Sequence, residues 1–327
     1  MLSHRLQALE QLRQSLTQVP QEVLFRAEAA NPWFTQPFIQ SALQAIINEY
    51  LNPVALHAFS SRIENEPTAP AKVGVVLAGN IPLVGFHDVL CVYLSGHPGR
   101  FKLAAADTVL MQYVIQQLQQ ADPQAINQLQ IAERLNDCTA YITTGSNQSA
   151  QHFEHYFGRF PHIIRRNRTS VAILDGTESQ NELEALADDV YLYFGLGCRN
   201  VTHIAVPENY NFEPLLNAFR KYDALKDHNK YRNNFDYQLA LYLLNGQFYM
   251  SNESLLVVEN PALFSPVAVT HYSVYQNIAE ITNQLQQHPD VQAIVGHHGL
   301  PFGSAQHPNL TQFADGVDTL QFLLQLS

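Results

Sequence analysis

KVGVVLAGNIPLVGFHDVLCVYLSG, residues 72–96, reads as one strand followed by one helix. Its opening, residues 72–78, is a continuous β-branched run of the kind found in a strand buried on both faces of a parallel sheet. At the end of the run Asn80 is placed to cap a helix with Pro82 in its first turn, and that helix continues through FHDVLCVYLS to Gly96. The stretch carries little charge, but Gly79, Asn80, Pro82, His87 and Asp88 interrupt it, so it reads as strand and helix and not as a membrane span.

Working outward, a second strand is expected at 100–104, then a helix opened by Asp107. A third strand, CTAYITT at 138–144, meets Gly145-Ser146 and the helix NQSAQHFEHYF. Strands alternating with helices of this length make βαβ units and a mostly parallel sheet. On the amino side, residues 1–65 show helical periodicity in pieces, and ENEPTAPAK (64–72) reads as a linker. On the carboxyl side come SVAIL (170–174), an acidic helix near 178–193, the strand VTHIAVP (201–207), and helical FEPLLNAFRKY and FDYQLALYLLNG. Short strands near 255–258 and 266–272, the strand QAIVG and a closing helix near 317–324 complete it. The expected fold is α/β, with two Rossmann-like lobes, parallel sheets and an active-site cleft between lobes. The expected domains are 1–170, N-terminal helices plus a cofactor-binding domain, and 171–327, a thiol-bearing domain with a C-terminal closing segment.

Composition narrows the function classes. The chain has 327 residues, 46% apolar and 14% charged, with a formal charge of -11. That is a compact globule without the basic face a general nucleic-acid binder needs. Three cysteines, Cys91, Cys138 and Cys198, form neither C-x-x-C nor a zinc spacing, and an odd number suits a reducing compartment. The first residues are polar and amphipathic with no apolar signal core, so a cytoplasmic location is expected.

Cys198 stands in YFGLGCRNVTHIAVP (193–207), between glycines and an arginine and just ahead of an apolar strand. A thiol there can be a nucleophile if backbone amides or a cation stabilise its thiolate, or it can be a buried structural residue. Asn80, at the carboxyl end of a parallel strand, can donate its amide to a developing oxyanion or serve as a helix cap. TTGS (143–146) sits on a strand-to-helix turn, where Thr144, Gly145 and Ser146 can receive a pyrophosphate or merely turn the chain, and Lys102 beside it can reach a ribose or stand in solvent. Arg159, Arg165, Arg166 and Arg168 suit either a phosphate or structural ion pairs, the second being favoured. His297, His298 and His307 lack metal-ligand spacing, so no metal is expected. His87 with Asp88, and His203, are weak acid/base candidates; Cys91 and Cys138 read as structural.

The segments AGNIPLVGFHD, GHPGRFKLAAAD, YITTGSNQSA, YFGLGCRNV, LFSPVAV and PFGSAQHPNL stand in the order in which the aldehyde dehydrogenase superfamily carries its site. More narrowly, the chain resembles the fatty acyl-CoA reductases that supply aldehyde to bacterial luciferase, in a short form. The resemblance implies that Cys198 is the catalytic thiol and that Asn80, with the Cys198 amide, holds the oxyanion. It implies that Lys102 meets the adenosine ribose, that Gly145 and Ser146 lie over the pyrophosphate, and that Pro301, Phe302 and Gly303 pack near the active-site mouth. Aldehyde-oxidising members carry a glutamate before the strand that here reads SVAIL, whereas IIRRNRTS (163–170) has no carboxylate. A second familiar glutamate, on the nicotinamide ribose, is replaced by Ala262. The expectation is therefore NADPH-dependent reduction of a long-chain acyl-CoA or acyl-protein to the aldehyde through a cysteinyl acyl-enzyme, with NADH as the other donor. The alternatives are NAD-linked aldehyde oxidation or an acylating dehydrogenase, and a non-catalytic acyl-carrying subunit of an acyl-protein synthetase complex. The resemblance also allows a homo-oligomer.

Overall fold

The computed structural model describes residues 2–326 and divides into two compact units, Met1–Asn167 with Pro308–Ser327, and Arg168–His307. The sequence expectation ran the second domain to 327; the last segment instead packs within the first unit.

The first unit opens with helices α1 (Leu2–Leu16), α2 (Gln21–Ala30), α3 (Gln36–Ala45) and α4 (Pro53–Ser60). Strands β1 (Val73–Val76), β2 (Gly99–Lys102), β3 (Leu129–Ile131), β4 (Ala140–Thr144) and β5 (His162–Arg165) follow. Between them lie α5 (Phe86–Ser95), α6 (Thr108–Ala121), the short α7 (Ala125–Gln128) and α8 (Asn147–Phe157). The sheet order is β3-β2-β1-β4-β5, all parallel. The chain runs outward from β1 in one direction and returns to its other side at β4, so the strand order reverses between β1 and β4. Crevices outside the carboxyl ends of strands at such a reversal are where open α/β sheets bind ligands.

Val73, Val75, Phe101 and Ile142 are fully buried in this sheet, and nearly every residue of α5 is buried with them. Gly96 ends α5 in the left-handed conformation at φ 83°. The closing helix, Thr319–Leu324, packs on α5. A buried ion pair fixes it: Arg165 donates to both oxygens of Asp88 (2.6 and 2.9 Å) and to the Thr319 hydroxyl (2.7 Å). Removing one partner of such a pair leaves an uncompensated buried charge, at a cost of about 3–5 kcal/mol.

The second unit holds β6 (Thr169–Ile173), α9 (Gln180–Tyr191), β7 (Val201–Pro207), α10 (Glu213–Ala218) and α11 (Asn229–Leu244). It continues with β8 (Met250–Ser251), β9 (Leu256–Glu259), β10 (Val269–Tyr275), α12 (Ile278–Gln287) and β11 (Val291–Val295). Its sheet order is β11-β6-β7-β10-β9-β8, parallel except for β8, which pairs antiparallel at the edge. The capping box of Ser179 with Glu182 sets the start of α9. No helix among the described residues is long and apolar enough to cross a membrane.

One local expectation is corrected. α5 begins at Phe86 with Gly85 as its cap residue, so Asn80 is not its N-cap. A turn intervenes, with Leu83 at φ 56° and its N–H donated to a carboxylate oxygen of Asp107 (2.8 Å). Asp107, expected to cap α6, makes no side-chain cap bond there. It is spent on the Leu83 turn instead, and burial pushes its carboxyl up to about 8.

Candidate functional site

In the second unit Cys198 lies between the end of α9 and the start of β7, half-buried, at the second position of a turn closed by the Asn200 N–H donating to the Gly197 carbonyl (3.1 Å). Asn200 is wholly buried and organises this turn. Its Oδ1 accepts from the Gly197 N–H (2.8 Å), and its Nδ2 donates to the carbonyls of Asp189 (3.1 Å), Val190 (3.3 Å) and Leu192 (2.9 Å) at the end of α9. Those terminal carbonyls have no partner within the helix, so one amide side chain both closes α9 and holds the thiol turn. Ser170 donates its hydroxyl to the Cys198 carbonyl (3.2 Å).

The approach to the turn is strained. Tyr193 and Phe194 sit at φ 55° and 57°, where non-glycine residues cost about 1–3 kcal/mol each. Both are buried, and the Phe194 ring packs against His228 and Tyr231, which keeps the strained segment in place. Gly195, at φ 74°, completes the reversal without a Cβ penalty.

The same helix anchors the late motif. The buried Asp189 carboxylate accepts from the N–H groups of Gly303 (2.6 Å) and Ala305 (2.9 Å), and burial raises its pKa to about 7 despite these donors. The residues after Pro301 and Phe302 and the Cys198 turn are therefore both tied to the last turns of α9. Neither Asn200 nor Asp189 was singled out in the sequence. The available signals were an asparagine just before an apolar strand and an acidic residue on the apolar face of a helix.

In the first unit, the register pairs Val76 with Lys102 on one side and Thr143 on the other, so Lys102, the residues after β1 and Thr144 share the carboxyl edge of three adjacent strands. Lys102, Asn80 and Ser146 are exposed. Ser146 caps α8 by accepting from the Ser149 N–H (3.2 Å), and the first-turn amides of α8 present the positive end of its dipole. Gly79 makes a close approach at this edge: a Cβ there would lie 2.5 Å from the Ala104 Cβ. A cation, a helix N-terminus and small residues at the strand-order reversal fit a dinucleotide. Thr144 contributes less directly, because its hydroxyl accepts from Arg165 (3.3 Å).

Other expectations resolve differently. Arg165 is the buried partner of Asp88, and Arg159 lies over the Phe160 ring, so these two are structural. His87 and Asp88 form no acid/base pair: the His87 Nε2 donates to the Leu310 carbonyl (3.2 Å) while Asp88 serves Arg165. His203 is buried, donating from Nδ1 to the Ala262 carbonyl (3.2 Å) and accepting at Nε2 from Ser273 (2.8 Å). Burial lowers its pKa to about 4, which removes it as a proton carrier near neutrality. Cys91 and Cys138 are buried, as expected. His297 bridges Asp175 (2.8 Å) and Glu182 (2.9 Å) through both ring nitrogens, and these bonds raise its pKa to about 9. Asp175, Glu178 and His297 bring one donor atom each within 4.8 Å of one another, but Glu178 is already used by the Asp175 and Gly176 amides.

No family model and no curated protein sequence matches the chain. Its architecture is matched by solved structures. Aldehyde dehydrogenase 21 from Physcomitrella patens, in complex with the product succinate, is 12% identical with a TM-score of 0.68, covering 91% of this chain and 74% of its own. The NAD-dependent aldehyde dehydrogenase from Sinorhizobium meliloti is 9% identical at TM-score 0.67, covering 90% and 70%. A propionaldehyde dehydrogenase from the Clostridium phytofermentans fucose utilisation microcompartment is 11% identical at TM-score 0.64, covering 93% and 85%. The chain has the aldehyde dehydrogenase fold, with two α/β units built on parallel sheets. These matches overturn the narrower reading as an NADPH-dependent acyl-CoA reductase: the three structures are aldehyde dehydrogenases, and the one whose name states a cofactor dependence is NAD-dependent.

Proposed function

We propose that the chain is an NAD-linked aldehyde dehydrogenase of the acylating type. The observation that carries this reading is the half-buried Cys198 on a turn fixed by Asn200, in a fold shared with solved aldehyde dehydrogenases. The Cys198 thiolate adds to the aldehyde carbon. The resemblance assigns the oxyanion to the Cys198 N–H and the Asn80 amide, each donor being worth about 3 kcal/mol in comparable sites. Lys102 and the first turn of α8 would hold the dinucleotide, which when bound would supply the hydride acceptor. Collapse of the oxyanion leaves a thioester on Cys198.

The step that follows is set by what residues 163–170 lack. They supply arginines and no carboxylate, so no general base is offered there to activate water against the thioester. A thiol such as coenzyme A then accepts the acyl group, loses its proton to solvent and restores the Cys198 thiolate. The test is NADH formation from an aldehyde with and without coenzyme A. Acyl-CoA should form in step with NADH, and without coenzyme A a hydroxylamine-sensitive acyl group should remain on Cys198. Turnover to free acid at the same rate without coenzyme A would overturn the acylating reading.

A further inference from the structure

Asp107 is buried in a way that its place in the sequence does not explain. It is 3% exposed, stands just ahead of α6 without a side-chain cap bond to it, and its Oδ1 has no hydrogen-bond partner among the described residues. Buried polar atoms are nearly always paired, so an exception calls for a use elsewhere. The bond that Asp107 does make runs to the turn after β1, where its Oδ2 accepts from the Leu83 N–H (2.8 Å).

Two contacts of Asp107 bracket Asn80. Ahead of Asn80, Gly79 lies against it: a Cβ at Gly79 would come 3.3 Å from the Asp107 Cβ and 3.4 Å from its N. Beyond Asn80, Leu83 is buried at φ 56°, a left-handed conformation that a leucine keeps only where its surroundings hold it. The Leu83 carbonyl accepts from the Phe86 N–H (2.9 Å), which leads the chain into α5. Asp107 is itself fixed, since its own N–H donates to the Ala104 carbonyl (3.0 Å). The path of the chain through Asn80 is therefore set at both ends by one residue, while the Asn80 side chain stays exposed at the carboxyl edge of β1.

We propose that Asp107 is a positioning residue for Asn80, its carboxyl fixing the 80–85 turn so that the Asn80 amide stands at the carboxyl edge of β1. Its effect on rate rests on the aldehyde dehydrogenase reading; its hold on the turn does not. Burial pushes the Asp107 carboxyl up to about 8, so near pH 7 it is largely a neutral acid that an asparagine matches in shape and charge. Asp107→Asn keeps a carbonyl acceptor for the Leu83 N–H and should hold kcat within about threefold of wild type. Asp107→Ala should lower kcat and kcat/KM together by about 10²-fold, as expected when a group that acts in the transition state is displaced. In an Asn80→Ala background the same change should cost less than about threefold more, because both substitutions take the same donor from its place. Hydrogen exchange read on peptides spanning 79–86 needs no activity. The Leu83 amide should exchange at least ~10-fold faster in Asp107→Ala and as in wild type in Asp107→Asn, with peptides of β7 unchanged in both. Unchanged exchange in Asp107→Ala overturns the proposal, as does an Asp107→Asn protein as impaired as Asp107→Ala, or a loss on top of Asn80→Ala as large as in the wild-type background. Faster exchange in Asp107→Ala together with a fully active Asn80→Ala would uphold the hold on the turn and count against the oxyanion role alone.

Discussion

The carboxyl edge of the first sheet and the thiol turn of the second unit are built on opposite physical plans. At the first, Lys102, Asn80 and Ser146 are exposed at strand ends and a helix start, and little buried polar structure depends on Lys102. At the second, Cys198 stands at the amino end of β7 on a turn whose hydrogen bonds converge on one fully buried amide. An open edge is held by the sheet, so Lys102 can be changed with little effect on folding, while Ser146 also caps α8. A turn held by Asn200 ties the position of the thiol to the stability of α9.

That contrast can be broken by substitution. Cys198→Ala should have the largest effect, a loss of about 10⁴-fold or more in kcat with thermal unfolding unchanged; retained NADH formation would remove the thiol from the chemistry. Asn80→Ala should lower kcat by about 10²–10³-fold. Asn200→Ala should behave in the opposite way, costing about 2–4 kcal/mol in denaturant unfolding because it leaves an N–H and several carbonyls unpaired in the interior. An Asn200 variant as stable as wild type would end the claim that this amide holds the turn. Lys102→Ala should raise the KM for NAD by about tenfold with the aldehyde KM unmoved.

The smallest expected effect is a pH dependence. His297 has its pKa raised to about 9 by Asp175 and Glu182, so its stabilisation is complete below about 6.5 and is lost as pH rises through 9. The Tm gap between wild type and His297→Gln should therefore be widest near pH 6 and close towards pH 10.

Much of the fold was legible because its signals are local. The helix NQSAQHFEHYF and the strand VTHIAVP occupy the expected residues as α8 and β7. β5 was missed because its sequence, HIIR, runs into a cluster of arginines and reads as a basic surface, when Arg165 is in fact a buried ion-pair partner. Asn80 was misjudged as a cap because the intervening turn depends on Asp107, whose carboxylate reaches Leu83 across 24 positions of sequence. The scaffold of the thiol turn was invisible for the same reason, since the three carbonyls served by Asn200 become one cluster only after α9 has formed. Reaction direction and cofactor were misread for a chemical reason. A cysteinyl thioester is common to reduction and oxidation, so a missing glutamate speaks to water as acceptor and is silent on which way hydride moves.

The return of Pro308–Ser327 to the first unit makes Arg168–His307 an insertion within it. During synthesis the inserted unit is complete before the ribosome has delivered Thr319, whose hydroxyl accepts from Arg165. Domains generally fold as units as they emerge. In this chain the first unit to emerge is then the last to be finished. Shortening the carboxyl terminus should therefore damage the first unit and spare the one that carries Cys198.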